Sequence, residues 1–173
     1  MPLYNPPVFL GRWLTSVAGG TVSTNQAFGT AGRVYMTQII IPVACQIDGL
    51  AYSVGTTSAG NVIGGLLGPI ARTADTPVGA VVVAQSASTA QGSTSVQQIL
   101  TWTAVTAQPG VYYACIEGDD VTGTFMRHPN IGQAVGIAGQ YDRAGGYGAL
   151  TDPTPASTVT GNNNTPGIRL RLA

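Results

Sequence analysis

The sequence predicts an all-β protein: a single antiparallel β-sandwich or barrel of about eight strands, with jelly-roll (Greek-key) topology. Three observations lead to this expectation. Short runs rich in β-branched and aromatic residues recur at intervals of roughly 10–15 residues and end in glycine- or proline-containing turns. No segment combines a helical period with helix caps. The loops between the runs are long, which favours a Greek-key or jelly-roll arrangement over an up-and-down barrel.

At 173 residues the chain is most simply one domain, which we divide into an N-terminal arm (1–32) and a single β-domain (33–173). Residues 1–32 are predicted to be irregular, and the prolines near their start argue against regular structure there. The large apolar side chains of the arm need burial, either on the sandwich itself or on a neighbouring subunit. We therefore regard them as candidate interface residues: Val8, Phe9, Leu10 and Trp13.

The predicted strands follow from alternation and turn signals along the β-domain. They span residues 33–42, 47–55, 61–70, 78–84, 96–103, 111–116, 121–127, 131–138 and 167–172. Interior glycines in 61–70 indicate a bulge or a sharp bend. Residues 85–94 and 140–164 are predicted to be long loops because they are rich in small, polar and turn-forming residues.

The stretch 95–120 is the most strand-like part of the sequence and predicts a β-hairpin. Its two strands flank Gln108-Pro109-Gly110, where proline fixes φ and glycine permits a positive φ. In the second strand, Tyr112, Ala114 and Ile116 fall on one face, and Val111, Tyr113 and Cys115 fall on the other. These side chains are predicted to fill the core of a sandwich.

This hairpin also carries a resemblance to known proteins. Pro109-Gly110 followed by Val111-Tyr112-Tyr113 resembles the "PG-x-Y-aromatic" hairpin of phage virion β-sandwich proteins. The strand order upstream resembles the same modules, so the resemblance covers about residues 33–127. It implies a jelly-roll virion component without catalytic residues. Within that group, the chain is similar in size and layout to the small single-jelly-roll capsid proteins of tailless, membrane-containing icosahedral phages.

The charge content narrows the classes of partner. Charged residues make up only 8% of the chain, against about 25% in typical soluble domains, and the net charge is zero. No basic run is present, so we do not expect a nucleic-acid surface. A weakly charged surface has little self-repulsion and tends to associate, which suits a protein that works inside an assembly.

Two apolar runs and the N-terminus bear on localisation. The runs near 39–45 and 78–84 are too short to span a bilayer. The first residues lack the basic start and the unbroken apolar core of a signal peptide. We therefore expect no membrane span and no signal peptide. A location in a virion that is assembled in the host cytoplasm is what the resemblance implies.

The two cysteines, Cys45 and Cys115, both lie in predicted strands. They could pair as a disulfide or remain two buried free thiols. No CxxC motif occurs, and one histidine does not complete a Cys/His zinc site with them.

One cluster of side chains could bind a metal ion. Glu117, Asp119 and Asp120 could offer hard oxygen ligands to calcium, but their spacing does not match an EF-hand loop, and a solvated turn is the simpler interpretation. We therefore predict no metal and no cofactor.

A second group of residues could contact a partner molecule. Tyr141, Arg143 and Tyr147 lie in a predicted loop and form a candidate contact patch. Tyr141, Tyr147 and Trp102 could stack on sugar rings or could pack in the core or in an interface.

No catalytic set is evident, so we do not expect an enzyme. The sequence has no GxSxG motif that would supply a serine nucleophile for His128. No pattern in it marks two of the acidic residues as the catalytic pair of a glycosidase. The resemblance implies two candidate functions. The first is a structural virion protein, a capsid subunit that assembles with itself and with other virion proteins through its arm, loops and sheet edges. The alternative is a module of a phage tail or spike that binds a host glycan or receptor.

Overall fold

The computed structural model describes residues 9–10, 13–15, 24–70, 80–128, 138–142, 146–152 and 165–173. All regular structure in these ranges is β-strand. In chain order the strands are β1 (Phe9–Leu10), β2 (Trp13–Thr15), β3 (Thr24–Ala27), β4 (Arg33–Ile41), β5 (Cys45–Ser53), β6 (Asn61–Ile70), β7 (Val82–Gln85), β8 (Thr89–Ala90), β9 (Gln97–Ala107), β10 (Gly110–Gly118), β11 (Thr124–His128), β12 (Ala138–Asp142), β13 (Thr165–Pro166) and β14 (Ile168–Leu172). The all-β prediction is confirmed.

The strands form three antiparallel sheets. The front sheet has the order β1-β2-β14-β5-β9, and the back sheet has the order β12-β4-β10-β6-β7, with β8 also pairing with β6. A small end sheet has the order β13-β11-β3. The prediction of about eight strands is too low, because several segments of two to four residues are too short to show alternation in a sequence.

Eight of the strands pair in a nested order. Taken along the chain they are β2, β4, β5, β6, β7, β9, β10 and β14. The first of these strands, β2, pairs with the last, β14, and β4 pairs with β10. Inside them β5 pairs with β9, and the two middle strands, β6 and β7, pair with each other. The chain is therefore arranged like one long hairpin whose two arms alternate between the front and back sheets.

The predicted hairpin at 95–120 is wrong in its pairing. Both of its strands exist, but β9 pairs with β5 in the front sheet, while β10 lies between β4 and β6 in the back sheet. Pro109-Gly110 therefore carries the chain from one sheet to the other. Strand and turn propensities are local, so they identify two strands and a turn without specifying which strands become neighbours.

The main core lies between the front and back sheets. Inward-facing side chains from both sheets meet there, including Leu50 and Leu100 from the front sheet and Tyr112, Ala114 and Ile116 from the back sheet. The remaining members of this cluster are Leu14, Phe28, Tyr35, Ile39, Ile41, Ile47, Tyr52, Val54, Val62, Leu66, Ala107, Phe125, Ile168 and Leu170. The alternation predicted for residues 111–116 is confirmed, because Tyr113 and Cys115 lie in a separate cluster.

The described part of the N-terminal segment belongs to the sandwich. β2 pairs with β14, Leu14 is completely buried in the main core, and Trp13 is half-buried. β1 pairs with β2, with Phe9 opposite Leu14 and Leu10 opposite Trp13, and β3 joins the end sheet. The prediction of irregular structure is wrong for these three strands. The apolar side chains of the arm could be buried on the sandwich itself or on a neighbouring subunit, and Leu14 is buried on the sandwich itself. Val8 lies outside the described residues.

Other predicted boundaries hold to different degrees. The strand at 61–70 is confirmed at both ends, and those starting at residues 33, 47, 96, 111, 121 and 167 appear with shifted ends. The predicted loop 85–94 contains β8, and the predicted loop 140–164 begins inside β12. The predicted strand 131–138 lies outside the described residues except for its last residue, which starts β12.

The back sheet carries a second apolar cluster on its outer face. Its buried members are Val34, Met36, Ile63, Leu67, Ala80, Tyr113, Cys115 and Leu150, with Val82 and Tyr147 packed against them. Residues 146–152, which we call the strap, supply Leu150 and Tyr147 and cover part of this face. A sheet that is apolar on both faces requires such a cover, because exposed apolar area is unfavourable in water.

Two consecutive glycines in β6 allow close packing on both faces of the back sheet. A Cβ at Gly64 would lie 2.8 Å from Leu100 Cδ1 in the main core. A Cβ at Gly65 would collide with Leu150 Cδ1 of the strap. The missing side chains thus admit a front-sheet leucine from one side and the strap leucine from the other. Of the two irregularities that the interior glycines predicted, a bulge or a sharp bend, the structure has a bulge-type register shift against β10, which lies further along β6, between Leu67 and Ile70.

Candidate functional site

The acidic turn after β10 is held by hydrogen bonds to its carboxylates, local ones at Asp120 and long-range ones at Asp119. Asp119 accepts two hydrogen bonds from Asn61, from its backbone nitrogen to Oδ1 at 2.5 Å and from its side-chain nitrogen to Oδ2 at 2.7 Å. Asp120 Oδ1 accepts hydrogen bonds from the hydroxyl of Thr122 at 2.5 Å, from its backbone nitrogen at 2.7 Å, and from the backbone nitrogen of Gly123 at 3.2 Å. These bonds, led by the Thr122 hydroxyl, hold the pKa of Asp120 below its usual range.

The third carboxylate of this turn lies in a different environment. Glu117 is completely buried near the end of β10, so the interpretation as a solvated turn is wrong for this residue. Glu117, Asp119 and Asp120 therefore do not share one coordination centre. Across the described ranges, no group of three or more histidine, cysteine, aspartate or glutamate side chains is placed to hold a metal ion.

The candidate contact patch is only partly described. Tyr147 is half-buried, its ring packs on the outer cluster of the back sheet, and its hydroxyl lies 2.7 Å from Ser88 Oγ. Burial raises the pKa of Tyr147, and the nearby Asp119 and Glu117 charges raise it further. Tyr147 is thus an anchor of the strap. Tyr141 lies in β12 opposite Val34, and Arg143 lies outside the described residues.

Trp102 has a structural role at an irregularity in the front sheet. The β5–β9 register shifts so that Ile47 faces Val105 while Gly49 faces Thr101. The Trp102 indole N–H donates to the Ile47 carbonyl at 3.2 Å, which satisfies a backbone acceptor at this bulge. The half-buried ring packs against the main core. Of the two roles considered for Trp102, packing is the one observed.

The two cysteines are free thiols in this structure, so the disulfide considered from the sequence is not formed. Cys45 is half-buried at the start of β5 in the front sheet, next to the main core. Cys115 is completely buried on the outer face of the back sheet. The two thiols face different sides of the back sheet, and burial raises the pKa of both.

His128 ends β11, where it lies opposite Thr165 in the end sheet. The backbone of His128 therefore belongs to the end sheet, and its side chain is outside the described part of the structure. Within the described ranges, no helix is long and apolar enough to cross a membrane.

The outer face of the front sheet contrasts with that of the back sheet. The polar residues exposed on this face are Gln46, Gln97, Thr101, Thr103, Thr106 and Arg169. Ile99 is a large apolar residue that is also exposed there. Arg171 forms a two-point ion pair with Asp48, with N–O distances of 2.6 and 2.7 Å, and this hydrogen bonding raises the pKa of Arg171. The strap does not extend to this face.

The free edge of the front sheet was missed in the sequence analysis. β9 has eleven residues and, in the described part of the chain, pairs on one side only, with β5. The signal was present in the sequence, since no charged residue occurs between Asp75 and Glu117. That stretch contains the whole of β9, so this edge strand carries no charged residue.

Comparisons with known proteins add no assignment. The chain matches no protein-family model and no curated protein.

Proposed function

We propose that the eight nested strands form a jelly roll and that the protein is a structural virion protein, a capsid subunit that assembles with copies of itself and with other virion proteins. The observation that carries the proposal is the nested pairing of the eight strands. A jelly roll is a double sheet of eight strands built from two Greek keys, and viral capsid domains are among its main uses.

The distribution of the pairs between the sheets supports the jelly-roll assignment. The first and third pairs, β2–β14 and β5–β9, lie side by side in the front sheet. The second and fourth pairs, β4–β10 and β6–β7, lie side by side in the back sheet. A long hairpin that is rolled up so that successive pairs alternate between two layers gives this order.

Surface chemistry supports an assembly role. The net charge is zero, and an uncharged edge strand borders a front face with little charge. Copies of such a protein can approach closely without strong electrostatic repulsion. A shell needs contacts of this kind because each subunit repeats the same interfaces with its neighbours.

Jelly rolls also occur in lectins, so the experiment must separate assembly from sugar binding. The full-length protein is examined by light scattering and negative-stain electron microscopy over a range of concentrations, and on a glycan array with and without calcium. A capsid subunit gives discrete particles of uniform size and no glycan signal. A monomer at every concentration, with a glycan signal, would overturn the proposal in favour of the binding module.

The N-terminal residues provide a second variant for this experiment. Deletion of residues 1–8 removes the first candidate interface residue, Val8, and keeps β1 and the buried Leu14. We expect particle formation to weaken while the thermal unfolding midpoint stays within a few degrees. Deletion through residue 14 would be uninformative, because it removes a core side chain together with the arm.

A further inference from the structure

The edges of the two main sheets differ in how they are protected. In the described part of the chain, the edge strands are β1 and β9 in the front sheet, and β12 and β7 in the back sheet. β1 has two residues, and β12 has five and ends in Asp142. β7 has four, and its Val82 backbone nitrogen donates to Asp152 Oδ1 of the strap at 2.7 Å. Short length, an acidic residue or a covering segment blunts each of these three edges.

The backbone of β9 has none of these protections over its first half. Residues 90–92 contact this half through the Gln98 side chain, which accepts a hydrogen bond from the Gly92 backbone nitrogen at 2.8 Å and donates one to the Ala90 carbonyl at 2.9 Å. β9 is eleven residues long and contains no charged residue and no proline. Its one irregularity is the register shift between Thr101 and Val105, where Trp102 satisfies the Ile47 carbonyl. Residues 97–101, which we call the β9 edge segment, remain in regular register with β5. An unpaired edge of this kind presents backbone donors and acceptors that another strand can use.

We propose that the β9 edge segment pairs antiparallel with the same segment of a second copy of this chain, around a two-fold axis at Ile99. The two five-stranded front sheets then join into one continuous sheet. The proposal rests on the assembly function proposed above, because it names the contact through which two subunits associate.

The side chains of the segment are complementary to themselves in this register. Gln97 of one copy faces Thr101 of the other, and Gln98 faces Leu100. Ile99, whose side chain is 45% exposed, faces its own counterpart. Directly opposed side chains in an antiparallel pair have Cβ atoms about 4.5–5.5 Å apart, so the two isoleucines cover each other.

Charge and symmetry select a second copy as the occupant. No charged residue occurs between Asp75 and Glu117, so two copies of the segment meet without like charges in opposition. A partner strand of stronger charge would gain no ion pair from this edge. The two-fold arrangement uses each edge once and closes as a dimer, which prevents unlimited edge-to-edge growth.

A charge substitution tests the contact. Ile99→Lys places a cation at the axis, where it meets a second lysine, and we expect the dimer dissociation constant to rise at least tenfold in sedimentation velocity experiments. Gln46→Lys is the matched control, because Gln46 is an exposed residue of β5, an interior strand of the same sheet. This control should dimerise like the wild type, and circular dichroism should show that both variants are folded.

A cross-link tests the register. In a Cys45→Ala background, which leaves only the completely buried Cys115, Ile99→Cys should form an intermolecular disulfide under mild oxidation. Gln46→Cys in the same background should not. Equal cross-linking of the two variants, or none in either, would overturn the proposed axis.

The outcomes separate this inference from the capsid proposal. If the wild type forms particles and Ile99→Lys forms them equally well, the β9 contact is overturned and the capsid function stands. If the wild type forms β9-dependent dimers and no larger particle, the β9 contact stands and the capsid function fails. A wild type that stays monomeric at every concentration overturns both.

Discussion

The inward faces of the two main sheets are both apolar, but their outward faces differ in polarity. The back sheet is apolar on its outer side, where Tyr113 and Cys115 are buried and Leu150 of the strap packs over them. The front sheet is polar on its outer side, where threonines and glutamines are exposed. Among the described residues, the chain therefore closes part of the outer face of the back sheet and leaves the outer face of the front sheet exposed.

The difference arises from the residues between the inward-facing positions. In β10 these are tyrosine and cysteine, whose burial is favourable by about 25 cal/mol per Å² of apolar area. In β9 the corresponding positions carry Gln97, Thr101 and Thr103, which remain hydrated, and one exposed isoleucine, Ile99. In both sheets, alternation places apolar side chains on the inner face. The polarity of the outward-facing residues determines which sheet needs a covering segment. Four substitutions test this comparison.

The largest effect is expected on the covered face. Tyr113→Ala removes a completely buried side chain from the outer cluster and should lower the free energy of unfolding by about 3–5 kcal/mol. Thr106→Ala on the open face, outside the β9 edge segment, should change it by no more than about 0.5 kcal/mol. Urea unfolding of both variants measures the difference. Equal losses would show that the two outer faces contribute alike to stability.

A smaller effect is expected at the strap. Leu150→Ala empties the space over Gly65 and should cost about 2–3 kcal/mol, the lower part of the range for buried leucines because the strap can relax. It should also speed the reaction of Cys115 with a thiol reagent in a Cys45→Ala background. The matched control is Val43→Ala, an exposed aliphatic residue between β4 and β5, with a loss below about 1 kcal/mol. An unchanged Cys115 reaction rate in Leu150→Ala would contradict the covering role of the strap.

The ion pair on the open face should contribute less. Arg171→Met removes the two-point contact with Asp48, whose side chain is 23% exposed against 28% for Arg171, and should cost about 0.5–1 kcal/mol. The loss should shrink in high salt because screening weakens the pair. Arg169→Met on the same strand removes the same charge from an exposed position. Thermal unfolding at two salt concentrations separates them, and equal salt sensitivity would argue against a specific pair.

The smallest effect is expected at the acidic turn, where local hydrogen bonds act in place of burial. The folded-state pKa of Asp120 lies below its unfolded value of about 3.9, so its stabilising contribution is complete above that pH. The contribution is lost as the pH falls through the lower folded-state pKa. The melting temperatures of wild type and Asp120→Asn should therefore differ by a constant amount at neutral pH and converge below about pH 4. A difference that does not depend on pH would exclude this origin.

Sequence patterns predicted the fold at the level of strands and faces. The alternation in β10 located both clusters, and the all-β class follows from the spacing of the strands. The partner of each strand was not predictable in the same way. Pro109-Gly110 has the signature of a hairpin turn but joins two sheets, because the pairing of β9 and β10 depends on strands distant in the chain.

The candidate site was less predictable than the fold. Glu117, Asp119 and Asp120 are neighbours in sequence, but one is buried in a strand and the others are held by Asn61 and Thr122. The docking of the strap also depends on a distant residue, since Gly65 leaves room for Leu150. The open edge of β9 was readable in principle from the absence of charge, but only once its position at the edge of a sheet was known.

The nested pairing also has a consequence for synthesis of the chain. β2 begins at Trp13, and its partner β14 ends at Leu172, so the outermost pair joins the earliest and the latest of the eight nested strands. Because β14 follows the other seven, the front sheet can close only after residues 168–172 have been synthesised. Folds dominated by such distant contacts form in milliseconds to seconds. Until β14 is in place β5 lacks one neighbour, so a nascent chain that stops short of β14 should be the species most in need of a chaperone.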